Sequence, residues 1–125
     1  VILVQIQHTE FPGKLLNLNA QRRENSRFFY QQIQPWRALG KLKAQGLGPQ
    51  PCPMLIWAYF RFGDNRRRDT GNLYPTVKAL VDGFVDAGVL ADDCDGVLYG
   101  PHLMRDYPNG PPRIVMTLEP WTSTT

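Results

Sequence analysis

Apolar residues change their spacing several times along this chain, and each change marks an element. Ile2, Val4 and Ile6 alternate with Leu3, Gln5 and Gln7. A period of two suits a strand with one buried face, so residues 1–7 are predicted to open a sheet. Phe11, Pro12 and Gly13 break the alternation, and residues 14–25, rich in Asn, Gln and Arg, read as an exposed loop. From Ser26 the stretch SRFFYQQIQPWRALGKLKAQG follows a helical repeat that sets Trp36, Leu39 and Leu42 on one face. Pro35 inside it forces either a kink or a restart with proline in the first turn. Gly46, Gly48, Pro49, Pro51 and Pro53 end the helix.

Residues 54–62, MLIWAYFRF, are apolar on both faces until Arg61, the pattern of a central strand. Beyond it, Asn72 can cap a helix whose first turn tolerates Pro75. Leu73, Val77, Leu80 and Phe84 then recur at intervals of 4, 3 and 4, which is one buried helical stripe, and Gly88 ends it. Residues 96–104 and 113–119 read as two strands joined by the turn-rich DYPNGPP. Pro101 makes the first of them an irregular or edge strand. The tail WTSTT reads as frayed. The order strand, helix, strand, helix, strand, strand predicts an α+β or mixed α/β fold: one small mixed sheet of about four strands, with two main helices on one or both faces.

At 125 residues the chain is expected to form a single domain, 1–125. No apolar run approaches the roughly 20 residues needed to cross a bilayer. Residues 1–4 carry neither a basic region nor a small-residue cleavage site. A soluble, unexported, cytoplasmic protein, bacterial or in an infected host cell, is expected, with no membrane partner. Cys52 and Cys94 lack CxxC spacing and read as lone thiols, and His8 and His102 as single structural histidines.

The net charge of +3 hides an asymmetry. Residues 1–68 hold 11 Lys/Arg against Glu10, Glu24 and Asp64, which is +8; residues 69–125 hold Lys78, Arg105 and Arg113 against eight acids, which is −5. A metal-dependent nuclease needs this division, with cations on the phosphate backbone and carboxylates on the metal. Two halves of a domain that merely attract each other would show it too.

The candidate chemistry sits in RRRDTGNLYPTVKALVDGFVDAGVLADD, residues 66–93. Asp69 follows the central strand at the sheet edge where ligands commonly bind. If the segment after Gly88 runs back along the helix, Asp69 and Asp93, with Asp92, can share a divalent cation. Their hard oxygens select Mg2+ or Mn2+, which activates water and neutralises a phosphate oxygen. Solvated turns or helix caps are the plainer reading of such acids. Arg66, Arg67 and Arg68 would repel one another unless an anion neutralises them, and guanidinium forks suit phosphate. Lys78 stands four residues before Asp82, either as a simple helix-face ion pair or as a point charge that stabilises the scissile phosphate.

The run RRRD-x-x-NL, then K-x-x-x-D, then AG-V-L-x-DD resembles the RusA family of Holliday junction resolvases, especially phage-encoded RusA-like proteins, over residues 66–97. The resemblance implies a Mg2+-dependent homodimeric endonuclease that nicks opposite strands of four-way DNA junctions. It matches Asp69 to the first metal aspartate, Asn72 and Leu73 to the family's asparagine and leucine, and, with Tyr74, Pro75 and Thr76 as an insertion, Lys78 to the catalytic lysine. Asp82 then matches the helix aspartate, and Asp92 and Asp93 the acidic pair, with Asp93 the essential member. Gly71 stands where the family has its second aspartate; Asp92, Asp64, Asp82 or water would have to fill the vacancy. The basic set Lys14, Arg22, Arg23 and Arg27, with Asn17 and Asn19, falls in the region that is Asn/Arg-rich in RusA-like chains, and like Arg66, Arg67, Arg68 and Asn72 it is expected to contact DNA. Phe28, Phe29 and Ile33 are candidates for a dimer surface and equally for core. The leading expectation is a junction-resolving nuclease, ahead of a branched-DNA-binding protein that lost catalysis through Gly71, with a structural or assembly protein third.

Overall fold

Residues 54–61 alternate along their whole length: Met54, Ile56, Ala58 and Phe60 are fully buried, while Leu55, Trp57, Tyr59 and Arg61 are half-buried. One face of this strand is therefore covered and the other open, a one-sided burial that organises the fold. The computed structural model describes residues 4–51, 53–91 and 98–120. It contains β1 (Val4–His8), α1 (Leu18–Arg23), α2 (Ser26–Ala44), β2 (Met54–Arg61), a single 3-10 turn (Thr70–Leu73), α3 (Tyr74–Asp86), β3 (Leu98–Arg105) and β4 (Arg113–Pro120). The strands form one mixed four-stranded sheet in the order β1-β4-β2-β3, with helices packed against it: a small α+β fold.

Both interior strands are the apolar ones. β2 pairs antiparallel with β4 (Ile56 opposite Leu118, Phe60 opposite Ile114) and parallel with β3, while β1 closes the other edge against β4. β3, which carries Pro101, is an edge strand, and its register slips between Leu55 and Trp57. β3 and β4 are consecutive in sequence yet not neighbours, because β2 lies between them. The connecting segment 106–112 crosses the end of β2, where Asp106 N donates to Phe60 O, Gly110 N to Phe62 O and Arg61 Nε to Pro111 O.

The covered face (Ile6, His8, Met54, Ile56, Ala58, Phe60, Ile114, Met116, Leu118) packs against Phe29 and Trp36 of α2 and the stripe Val77, Leu80 and Phe84 of α3. At roughly 25 cal/mol per Å2 of apolar surface removed from water, this is the layer that drives folding. α2 starts on Asn25, whose side chain accepts from Phe28 N. It runs through Pro35 as one assigned helix. The proline sits on the exposed side, where water can take the carbonyl that loses its amide partner. Leu42, expected on one face with Trp36 and Leu39, is 63% exposed, and the tight contact to α3 is made instead by Gly40. A Cβ on Gly40 would strike Leu80 O, and one on Gly83 would strike Arg37 O and lie 2.6 Å from Lys41 N, so the two helices cross backbone to backbone. Arg37 closes the crossing with a forked contact to Asp86 (Nε to Oδ2 2.6 Å, Nη2 to Oδ1 2.7 Å). Among the described residues no helix is long and apolar enough to cross a membrane.

Candidate nucleic-acid interface and metal site

The site begins with the turn after β2. Asp69 Oδ1 accepts from Gly71 N at 3.1 Å, an aspartate turn that opens the 3-10 segment leading into α3. Asp69, not Asn72, is thus the capping side chain here, and Leu73 precedes α3 without a side-chain cap. Pro75 lies in the first turn of α3, as its place in the sequence predicts.

The segment 14–25 is not a simple loop. Asn17 caps the short helix α1, its Oδ1 accepting from Ala20 N at 2.7 Å. Two buried side chains hold this segment onto the helical layer. Thr76 Oγ1 accepts from Leu16 N and donates to Leu16 O, both at 2.8 Å, and Trp36 Nε1 donates to Lys14 O at 3.1 Å. The sequence offers no signal for Thr76 beyond a hydroxyl among apolar helix positions. Its effect is to bring Asn17 to Asp69: a cleft of about 240 Å3 is lined by Leu15, Asn17, Phe62, Arg68, Asp69, Asn72 and Leu73. A second cleft, of about 340 Å3, is lined by Asn17, Asn19, Arg22 and Arg23. Asn17 lines both, so the guanidinium pair of α1 adjoins the Asp69 cleft.

The three arginines diverge. Arg68 folds back onto Asp64 (Nη1 to Oδ1 2.9 Å, Nη2 to Oδ2 3.2 Å) and lies 4.2 Å over the Phe62 ring. Asp64 Oδ1 also accepts from Arg66 N. Part of the crowded positive charge is therefore neutralised within the chain, by an acid that the sequence suggests only as a substitute metal ligand. The side chains of Arg66 and Arg67 are on exposed residues. Arg105, reached from β3, donates to Arg66 O at 2.7 Å, Asp64 O at 2.8 Å and Asn109 Oδ1 at 3.3 Å, and lies over the rings of Phe62 and Tyr107. Asn109 further bonds Asn65. Arg105 thus locks the loop 64–66 to the 106–112 crossing, a role its isolated position in the sequence does not reveal.

Other candidates lie apart. Lys78 pairs with Asp82 at 2.8 Å and lines a separate cleft with Gln21, Phe29, Ile33, Tyr74, Pro75, Ala79 and Asp82. Lys14 faces Glu24 at 3.7 Å and lines a further one beside Trp36. Arg27 is exposed in the first turn of α2. Asp92 and Asp93 lie outside the described residues. Among the described residues no group of three or more His, Cys, Asp or Glu side chains could hold a metal ion. Asp69 supplies one carboxylate; Asp64 and Asp82, the possible substitutes for the missing partner at Gly71, are each taken by a cation. A Cβ on Gly71 would lie 3.3 Å from Asp69 Oδ1, so a side chain at that position stands directly beside the aspartate.

No protein-family model matches the chain, and no curated protein matches it.

Proposed function

We propose that this chain is a RusA-type, Mg2+- or Mn2+-dependent endodeoxyribonuclease that resolves Holliday junctions or other branched DNA as a homodimer, hydrolysing one phosphodiester in each of two strands. The observation that carries this reading is the Asp69 cleft. Within the RusA-like run 66–93, it gathers Asp69, Asn72 and Arg68 with Asn17, and through Asn17 it adjoins Arg22 and Arg23. A carboxylate with guanidinium and amide groups at its margin is what a site needs that grips a phosphate backbone while acting at one phosphorus. Asp69, Asp92 and Asp93 are the proposed metal ligands. A bound divalent cation would supply an activated water and charge neutralisation on the phosphate. Arg66, Arg67, Arg22, Arg23, Arg27 and Lys14 would hold backbone phosphates; Asn72 and Asn17 would position the strand at the cleft. Lys78 serves the reaction only if DNA draws it from Asp82.

The experiment is incubation of the purified chain with an end-labelled synthetic four-way junction in Mg2+ or Mn2+, beside Asp69→Asn and Asp93→Asn. Paired cuts that both substitutions abolish support the nuclease. Cutting by the substituted chains at the wild-type rate overturns the assignment of these residues. A second reading, a branched-DNA-binding protein without catalysis, is favoured by one specific observation: the position beside Asp69 is Gly71, and Asp64 and Asp82 are both engaged elsewhere. Selective binding of the junction without cleavage supports it.

A further inference from the structure

Among the described residues the most exposed large apolar side chain is Tyr107, 68% accessible in the segment that crosses the end of β2. A single apolar residue on a surface is ordinary. This one sits on a pinned frame. Asp106 N donates to Phe60 O, Gly110 N to Phe62 O and Arg61 Nε to Pro111 O, Arg113 pairs with Asp106 at 3.1 Å, and Asn109 bonds both Asn65 and Arg105. The guanidinium of Arg105 lies over the Tyr107 ring, 5.2 Å from its centre, and 5.1 Å from the centre of Phe62. That cation is itself held by Arg66 O and Asp64 O. One face of the tyrosine ring is therefore backed by a fixed positive charge, and its large exposure belongs to the other side.

The surroundings say what the open face can take. Asp64 is held by Arg68 and Asp106 by Arg113, whereas Arg66 and Arg67 are exposed and have no carboxylate partner among the described residues. The neighbourhood is thus cationic and suits a polyanion better than a neutral protein surface. Phe62, the other ring under Arg105, lines the Asp69 cleft together with Arg68. Tyr107 accordingly stands within roughly three base steps of 3.4 Å from the wall of that cleft.

We propose that Tyr107 is a stacking platform for one unpaired nucleobase of branched DNA, seated beside the Asp69 cleft, with Arg66 and Arg67 on the flanking phosphates. This rests on the reading of the chain as a protein that acts on branched DNA, and it adds the part that tells a branch from a plain duplex. In a continuous duplex every base is stacked on both sides, and taking one out of the stack costs energy. A base at a strand-exchange point has already lost a neighbour. An exposed aromatic face therefore rewards the branch and not the arm. Because every base has a π-face, the ring selects for structure and is tolerant of sequence. The guanidinium behind it adds a cation to the stack and holds the ring in place, so little side-chain freedom is lost on binding.

The test is fluorescence anisotropy of a labelled synthetic four-way junction and of a linear duplex with the same arm sequence, in chelator, against the full 125-residue chain as wild type, Tyr107→Ala, Tyr107→Phe and Tyr107→Trp. Tyr107→Ala is expected to weaken junction binding about tenfold, while the two aromatic replacements stay within about twofold of the wild type. Duplex binding should be the same for all four, which also shows that the alanine variant is folded. A 5-iododeoxyuridine at the branch point should crosslink under ultraviolet light to Tyr107, located by mass spectrometry of the digest, and one placed in the middle of an arm should not. The proposal is overturned by an alanine variant that binds the junction as the wild type does, which would leave Tyr107 to a protein contact. It is overturned too by an equal loss on duplex, by a phenylalanine variant that falls with alanine, or by the absence of a branch-point crosslink at Tyr107. Junction binding that depends on the ring without cuts in Mg2+ or Mn2+ keeps this inference and removes the nuclease; cuts with a ring-independent affinity do the reverse. A chain that binds neither DNA removes both.

Discussion

His8 is fully buried against the ring of Phe84, and neither of its ring nitrogens has a hydrogen-bond partner among the described residues. Burial, with a smaller contribution from the charge on Lys43, lowers its pKa from 6.5 to about 4. Below pH 6.5 the unfolded chain takes up a proton that the folded chain refuses, so this residue withdraws stability as the pH falls, until the folded form also protonates near pH 4. A shift of this size corresponds to about 3 kcal/mol between neutral pH and pH 4. Denaturant titrations of wild type and His8→Leu should show that loss in the first and a flatter profile in the second. Gly71 and Asp69 make a residue-scale prediction of their own. Gly71→Asp sets a carboxylate beside Asp69 at the cost of a shift of a few tenths of an ångström. If the chain cleaves junctions, the substitution should raise the rate at low Mg2+ at least tenfold by adding a hard oxygen ligand, measured as the metal concentration needed for half-maximal cleavage.

The helical layer is set by what is missing from two of its residues. Glycine inside a helix costs roughly 1 kcal/mol relative to alanine. Gly40 and Gly83 recover more than this by letting α2 and α3 touch through their backbones. Gly83→Ala should therefore destabilise the fold by about 3 kcal/mol, against the usual direction of a helical Gly→Ala change, and a thermal melt decides it. Thr76→Val should cost about 2 kcal/mol by leaving Leu16 N and O buried without partners, and should accelerate hydrogen exchange at the Leu16 amide. These elements also show what can be read from sequence and what cannot. β2 and the α3 stripe are legible because their apolar periods run unbroken over several turns or alternations. The helix α1 is not, since its six residues lack an apolar repeat and sit among polar side chains. Nor is the insertion of β2 between β3 and β4, because strand order is settled by which faces bury most, not by local pattern. The candidate site is visible in the sequence as a motif, yet the placing of its residues rests on Thr76, Trp36 and Arg105, which act through distant backbone and leave no local signature.

For the molecule as a whole, the candidate DNA-binding arginines and the aromatic centre of the sheet lie on two different sides. Arg22, Arg23, Arg66 and Arg67 belong to the layer of helices and loops, and Trp57, Tyr59 and Met104 to the open sheet. If the first side binds DNA, affinity for a four-way junction should fall steeply with salt. Arg22→Ala with Arg23→Ala should then flatten the logarithmic slope by about two, one unit for each phosphate no longer held, without altering preference among junction sequences. Filter binding at several salt concentrations measures both. The same division gives the protein a built-in optical readout. Trp36 is sealed in the core and Trp57 stands half-buried on the sheet. With Trp121 replaced by Phe, collisional quenching of emission by iodide would report almost entirely on the indole of Trp57. Shielding that rises with protein concentration would mark the sheet side closing, while shielding that rises with added junction would mean the DNA had chosen that side instead.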